Sequence, residues 1–512
     1  MKFLKKIRVA SAIFFFLPIL LFFIDFTGKL PLQLHKFLSI QLIPALLSLN
    51  VFVLIALVVL TLLFGRIYCS TICPLGVYQD IVSWKSRLFR KKAKQYRFVF
   101  LKPHNLIRYS ILLVTVIVFI CGSSSLILLL DPYSTFGRIV AQLIRPLFII
   151  ANNGLTDILG KMDNYTLYKV DQVGFVPVAL GISIFFFVLV TVMSWFKGRL
   201  YCNTICPVGT ALGFISKISI FHISIEESNC NRCGLCEKHC KSNCINSDTK
   251  KVDDSRCVSC YNCISTCKKG GIKYHNRYKF KKAEAVIPTN NIDNGRRTFL
   301  LASGAVLSTV ALANTKKLVS NNEAMLTRKP IMPPGAGNIE HFNKHCTGCQ
   351  LCVTKCPMHV LKPAALQYGF SGITQPHLVF STHTFCTYEC EICTTVCPTS
   401  ALRKLPIEEK KLTQIGVAKF RKSKCVVFTD EKDCGACSEH CPTQAVHMIP
   451  YKDGLTIPEV TENICIGCGA CESICPARPY QAIYIEGNET QRLAKKPAEA
   501  KKFNKKIDSF GF

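Results

Sequence analysis

Twenty-four of the thirty cysteines in this 512-residue chain fall into six groups of four. Two groups lie side by side: Cys230, Cys233, Cys236, Cys240 and Cys257, Cys260, Cys263, Cys267. Four follow downstream: Cys346, Cys349, Cys352, Cys356; Cys386, Cys390, Cys393, Cys397; Cys425, Cys434, Cys437, Cys441; and Cys465, Cys468, Cys471, Cys475. Most keep a C-x2-C-x2-C-x3-C register; the Cys386 group opens with a three-residue gap and the Cys425 group with an eight-residue gap. Three thiolates at such spacing wrap one corner of a 4Fe–4S cube, and in two-cluster ferredoxins the fourth ligates the other cube. For the first pair this predicts Cys230, Cys233, Cys236 with Cys267, and Cys257, Cys260, Cys263 with Cys240. Cys244 is near enough to compete with Cys240. The sixteen downstream thiolates support four cubes, for six in all. Pro357, Pro398, Pro442 and Pro476 follow the downstream fourth cysteines, whereas Lys241 and Lys268 stand there upstream. Disulfides do not repeat one tight spacing, because cysteines so close in sequence are poorly placed to bridge. Zinc sites use two separated C-x2-C pairs and rarely end in Cys-Pro.

Four other cysteines belong to a repeat. Gly65-Arg66-Ile67-Tyr68-Cys69-Ser70-Thr71-Ile72-Cys73-Pro74-Leu75-Gly76 recurs almost residue for residue as Gly198-Arg199-Leu200-Tyr201-Cys202-Asn203-Thr204-Ile205-Cys206-Pro207-Val208-Gly209. On a helix the two sulfurs of each C-x3-C would share a face. Cys69, Cys73, Cys202 and Cys206 are therefore candidates for redox thiols or extra metal ligands; the alternative is a plain turn ending each helix. Cys121 stands alone in an apolar run and reads as core. No C-x-x-C-H is present for a c-type haem, no histidine lies inside an apolar run, and no G-x-G-x-x-G follows a strand. No catalytic constellation is recognisable.

The elements that must position these groups are membrane helices and small domains. The chain is 49% hydrophobic, and largely apolar runs cover 9–26, 45–64, 106–130 and 174–196. Each approaches the length that crosses a hydrocarbon layer of about 30 Å. The net charge of +31 follows topology rather than nucleic acid. Residues 65–108 carry ten Lys/Arg against the single acid Asp80, and 197–298 carry eighteen against eight, whereas 131–173 carry four of each. By the positive-inside rule the N-terminus and both basic segments face the cytoplasm and 131–173 lies outside. Each cysteine loop then sits where its helix leaves the membrane on the inside.

The expected architecture is an α-helical membrane domain with four spans and a fifth, signal-like span, joined to two small α+β ferredoxin-like 4Fe–4S domains. The divisions are 1–209 (membrane domain with both loops), 210–280 (cytoplasmic two-cluster domain), 281–315 (basic linker and signal), 316–484 (four-cluster domain outside) and 485–512 (basic disordered tail). The signal is Gly295-Arg296-Arg297-Thr298-Phe299-Leu300, a modest apolar run and Ala311-Leu312-Ala313, which reads as an internal twin-arginine export signal. Such export moves folded proteins, as a domain built around clusters requires. Pro333-Pro334-Gly335-Ala336-Gly337 reads as a linker into the last cluster domain.

The two G-R-x-Y-C-x3-C-P-x-G loops followed by two ferredoxin motifs resemble the NapH-type membrane ferredoxins and the membrane half of NosR. From Arg296 onward, the twin arginines, Pro333-Pro334-Gly335-Ala336 and the four groups ending in Cys-Pro resemble the NapG/MauM-type exported four-cluster ferredoxins. The resemblance implies a fusion in the bacterial inner membrane, with two clusters in the cytoplasm and four in the periplasm. It would oxidise quinol from the quinone pool and pass electrons to a periplasmic reductase or cytochrome. Asp131-Pro132-Tyr133 is a weak candidate for meeting quinol; a helix-ending Asp-Pro is the plainer reading. A rival resemblance, to the CcoG family, implies metalloenzyme maturation or copper reduction by the C-x3-C-P thiols.

Overall fold

The computed structural model describes residues 2–89, 98–170, 176–280, 329–478 and 480–496. The whole of the basic linker and twin-arginine signal, 281–315, and the last sixteen residues lie outside the described residues.

The first apolar run forms α1 (Lys2–Ile24), 23 residues and so about 34 Å long at ~1.5 Å per residue. The second run does not form one span. It divides into α2 (Leu42–Leu47) and α3 (Val51–Phe64), because Leu49 turns into the left-handed region at φ 54° and Asn50 caps α3, its side chain accepting from Val53 N–H. After the first cysteine loop come the short helix α4 (Tyr68–Thr71) and α5 (Pro74–Leu88).

The third run also breaks, into α6 (Asn105–Ile120) and α7 (Ser125–Leu130), at a turn through Gly122 with φ +86°. Cys121 lies at this turn and is exposed, not core.

Residues 131–173, expected outside, are largely helical. α8 (Pro132–Ile139), a π turn at Val140–Ile144 and α9 (Arg145–Gly160) run together without a break. The stretch Pro132–Gly160 is long and apolar enough to cross a membrane. Charge counting missed it because Arg138 and Arg145 look like surface residues. Arg138 is instead buried, donating from Nη2 to the Leu129 carbonyl at 3.0 Å.

The fourth run is α10 (Pro177–Lys197), followed by α11 (Leu200–Thr204) and α12 (Pro207–Ser216). Among the described residues three helices, Phe3–Ile24, Pro132–Gly160 and Pro177–Lys197, thus have spanning length and composition; α3 and α6 are apolar but shorter. Leu17 and Leu21 on α1, Phe52 and Ile55 on α3, Phe148 on α9, and Phe185 and Val188 on α10 are exposed. An apolar belt of that kind suits lipid rather than water. Length, composition and this belt together suggest a membrane protein.

Two repeat units therefore exist, each a longer helix, a glycine turn, a short helix, a Cys-Pro start and a second helix. Gly65 and Gly198 make the turns at φ +72° and +68°. Pro74 and Pro207 open α5 and α12, where a missing N–H costs nothing. The second helices are exchanged: α5 packs against α10 and α12 against α3.

The first cysteine-rich domain holds β1 (Phe221–Ile225) and β2 (Ile245–Asn246), then β3 (Lys251–Val252) and β4 (Ile272–Asn276). β1 pairs antiparallel with β4 and β2 with β3. The second domain holds β5 (Leu361–Pro363) paired with β6 (Pro376–Leu378). In it β7 (Thr413–Phe420), β8 (Val446–Pro450), β9 (Thr456–Val460) and β10 (Ile483–Leu493) pair as β7 with β10 and β8 with β9. All these sheets have two antiparallel strands. Such small sheets bury little, so their stability leans on what the cysteines bind.

Two sequence expectations are corrected here. Residues 485–493, expected as tail, belong to a strand: Ile483 and Ile485 point inward from β10 and fix its register on β7. Pro333–Gly337 is not a linker. Ala336 is buried, Arg403 N–H bonds the Gly335 carbonyl at 2.8 Å, and the Gln491 side chain accepts from Gly335 N–H at 3.0 Å.

The two cysteine-rich domains dock near opposite ends of α1. Close to its start, Arg8 meets Asp80 at 3.0 Å, beside Lys241 of the first domain. Just past its end, Asp25 meets Lys355 of the second domain at 2.6 Å, with both side chains buried.

Candidate iron–sulfur centres

The crossed arrangement extends to every group of the second domain. One cavity is lined by Cys386, Cys390 and Cys393 with Cys356 from the preceding group. Another is lined by Cys425, Cys434 and Cys437 with Cys475 from the following group. Cys346, Cys349 and Cys352 each feel the charge of Cys397. Cys465, Cys468 and Cys441 likewise surround Cys471. The reason is local. Each run of three close cysteines leads into a helix of four or five residues, as at Leu351–Lys355 and Ala470–Ile474, and the fourth cysteine leaves that helix toward the neighbouring cavity.

Among the described residues, no three His, Cys, Asp or Glu side chains close around a single ion. Four sulfurs facing one cavity without closing on a single ion suit a cube that brings its own sulfide. Burial pushes the Cys349, Cys437 and Cys468 thiols up to about 12, and Cys236 up to about 11. Without iron these groups hold their protons. Cluster assembly must release them, and that couples metal uptake to folding.

In the first domain one cavity is lined by Cys257, Cys260, Cys263, Cys240 and Cys244. The Cys240 and Cys244 sulfurs are 3.5 Å apart. A hydrogen bond from Cys244 brings Cys240 down to about 7, with burial opposing. Cys244 moves up, through its hydrogen bonds with Cys240 and Cys257 and through burial. Their mutual hydrogen bond thus drives the two thiols in opposite directions, Cys240 down and Cys244 up. Cys236 of the other set has Cys230 and Cys233 as charge neighbours.

Lys241 explains the missing proline. It is buried and reaches Asp80 on α5, which also holds Arg8 at 3.0 Å and Arg199 at 2.8 Å. Burial brings Lys241 down to about 8 while the Asp80 carboxylate opposes it. One carboxylate thereby ties α1, both repeat units and the first cysteine-rich domain together.

The repeat loops interlock. Arg66 of the first loop donates to the Cys202 carbonyl at 3.1 Å and to Asn203 Oδ1 at 2.9 Å. Arg199 of the second loop donates at 2.5 Å to the Cys69 carbonyl. Both guanidinium groups are fully buried. The repeat's final glycine makes room for this: a Cβ on Gly76 would overlap the Cys69 carbonyl and stand 2.7 Å from Arg199 Nη1, and one on Gly209 would stand 2.7 Å from Arg66 Nη2.

Cys69, Cys73, Cys202 and Cys206 are drawn together by this clasp, each 2 or 3% exposed. Every pair among them is close enough for each sulfur to feel the other's charge. Gln79 Nε2 lies 3.2 Å from Cys202 Sγ, and Gly209 N–H donates to Cys206 Sγ at 3.3 Å. Sequence spacing alone assigns no role to Arg66, Arg199 or Asp80. The signal for the arginines was present, since both belong to the repeated Gly-Arg-x-Tyr.

Asp131 and Tyr133 are only 2% and 1% exposed. The Asp131 carboxylate caps α8, accepting from Ser134 N–H at 2.8 Å and from its hydroxyl at 2.6 Å. Tyr133 faces Cys349 of the second domain. No lipid-borne molecule reaches either side chain, so the capping role accounts for Asp131.

These sites and folds define an iron–sulfur electron-transfer protein with ferredoxin-type domains. Family models agree. A 4Fe-4S binding domain model matches residues 47–94 and 180–226, and 4Fe-4S dicluster domain models match 345–402 and 432–479. The chain is similar to ferredoxin-type protein NapG of Escherichia coli, at 30% identity over 203 residues covering 36% of this chain and 81% of NapG. The chain belongs to that family of ferredoxin-type proteins. It is also similar to ferredoxin-type protein NapF of the same organism (27% identity, 31% of this chain and 87% of NapF). A further relative is the uncharacterised protein MJ0749 of Methanocaldococcus jannaschii (24% identity, 44% of this chain and 71% of that protein). No solved structure matches the chain.

Proposed function

We propose that this chain carries electrons from the quinol pool of a bacterial inner membrane to a soluble reductase or cytochrome in the periplasm. The first domain would hold two clusters on the cytoplasmic side, ligated by Cys230, Cys233, Cys236, Cys267 and by Cys257, Cys260, Cys263, Cys240. The second would hold four on the periplasmic side, in the crossed sets described above. When bound, the clusters supply one-electron redox chemistry. The chain's own residues set spacing, exclude water and donate hydrogen bonds to the sulfurs, and these tune the potential.

The observation that carries this reading is the placement of the two domains at either end of α1. A helix of membrane length separates the Asp80 contacts from the Asp25–Lys355 pair. The basic flanks of the first domain support a cytoplasmic side for it. Metal delivery by the C-x3-C-P thiols is less well supported, because thiols 2 or 3% exposed cannot meet a metal arriving from solution.

The test is to mix oxidised, anaerobically purified protein in detergent with menaquinol and follow its clusters by electron paramagnetic resonance. Cluster signals should appear within the mixing experiment. If none appear, with or without an added acceptor, quinol is not the donor.

A further inference from the structure

We propose that Cys69, Cys73, Cys202 and Cys206 together bind one further iron–sulfur centre, and that it is the stepping stone by which electrons pass between the two cysteine-rich domains. The inference rests on the reading of those domains as cluster carriers on opposite sides of the membrane.

Four facts carry it. The four sulfurs converge from two loops, every pair in electrostatic contact, in a site closed to solvent. Like the ferredoxin sets, they do not close around a single ion. A centre that brings its own sulfide suits that spacing. The sulfurs have donors around them in Gln79 Nε2 and Gly209 N–H, and Arg66 Nη2 stands 3.8 Å from Cys69 Sγ. Such groups neutralise the charge of thiolates held in a dry interior. The 4Fe-4S binding domain model covers both loops.

The position is the fourth fact. One continuous buried core contains Cys260 of the first domain, then Cys69, Cys73 and Cys206, then Cys346 and Cys352 of the second. On one side Lys241 lies between Asp80 and Cys260, and Asp80 is bonded to Arg199 of the second loop. On the other side Tyr201, flanking the loop sulfurs, reaches the Leu130 carbonyl at 3.5 Å, next to Asp131, and Tyr133 two residues on lies beside Cys349. A centre at the loops thus stands between the Cys257–Cys263 set and the Cys346–Cys352 set. In the step itself one electron enters from one neighbouring cluster and one leaves to the other. No bond forms or breaks, and no proton is required.

The experiment has two readouts on the full chain. In the first, wild-type protein and the variant Cys69→Ser/Cys73→Ser/Cys202→Ser/Cys206→Ser are prepared anaerobically and assayed for iron and acid-labile sulfide. The variant should lose the content of one centre while the ferredoxin signals persist. Unchanged iron and sulfide would overturn the proposal, as would recovery of loop cysteines as disulfide-linked peptides from wild-type protein. Gln79→Leu keeps all the ligands and guards against a variant that fails to fold; it should shift the potential of one centre only, and no shift would count against the assignment. In the second readout, proteoliposomes carry ferricyanide inside and receive dithionite outside. Wild-type protein should pass electrons, and the four-serine variant should be slower by at least tenfold. Equal rates would overturn the relay. A wild-type protein that passes no electrons would overturn the two-sided placement and the relay with it, while the iron count still judges the centre.

Discussion

At the scale of single residues, what matters is which sulfur serves which centre. Because the fourth cysteine of each group points to the neighbouring cavity, Cys475→Ser should empty the site of Cys425, Cys434 and Cys437 and spare that of Cys465, Cys468 and Cys471. Anaerobic alkylation followed by peptide mass spectrometry checks this: the first three should become labelled and the second three stay protected. Spacing alone had made the grouping legible. The crossing was drawn from sequence only for the first domain, because stretched gaps in the Cys386 and Cys425 groups hide the two-cluster pattern. His377 in β6 offers a pH test of the same domain. Burial holds its imidazole down to about 4, against an ordinary value of 6.5. The unfolded chain therefore binds a proton that the folded domain refuses. The contribution is complete above pH 6.5 and falls away as pH drops toward 4. The loss is on the order of 3 kcal/mol. The thermal midpoint of the domain should fall across this window in wild type, and His377→Gln should flatten that slope.

At the scale of elements, the repeated loops show how a duplicated motif becomes one structure. The sequence displayed both copies, their cysteines and their Cys-Pro starts. It did not display that each arginine serves the other copy, because reciprocity is a property of two segments 133 positions apart and not of either one. The final glycine of each motif is the point to test. Gly76→Ala or Gly209→Ala would drive a methyl group into a backbone carbonyl and a buried guanidinium. Each should destabilise the membrane domain by about 1–3 kcal/mol, read as a lower thermal midpoint in detergent. Gly154→Ala, where nothing lies within 4 Å of the added carbon, should leave the midpoint in place. The helices were legible as apolar runs, but their breaks were not. Hydropathy sums side chains, whereas the breaks at Leu49 and Gly122 are backbone events. The helix Pro132–Gly160 escaped for the opposite reason, since its buried arginines lower the sum.

At the scale of the whole molecule, the second domain is held by an ion pair that water hardly touches. Asp25→Ala would leave the Lys355 ammonium buried without its partner, a change that costs about 3–5 kcal/mol when such a pair is broken on one side. Hydrogen exchange at residues 25–28 and 351–356 should quicken in Asp25→Ala. The double variant Asp25→Leu/Lys355→Met should recover most of the protection. None of this contact was readable beforehand: the two residues are far apart in sequence, and a lone Asp after a helix looks like a solvated end. Both domains nevertheless touch the same rod, one near each end. The span from one to the other is counted in residues of α1 and owes nothing to the lipid. A thicker or thinner bilayer must be met by leaning the whole assembly. The hops an electron makes would keep their lengths while the membrane around them changed.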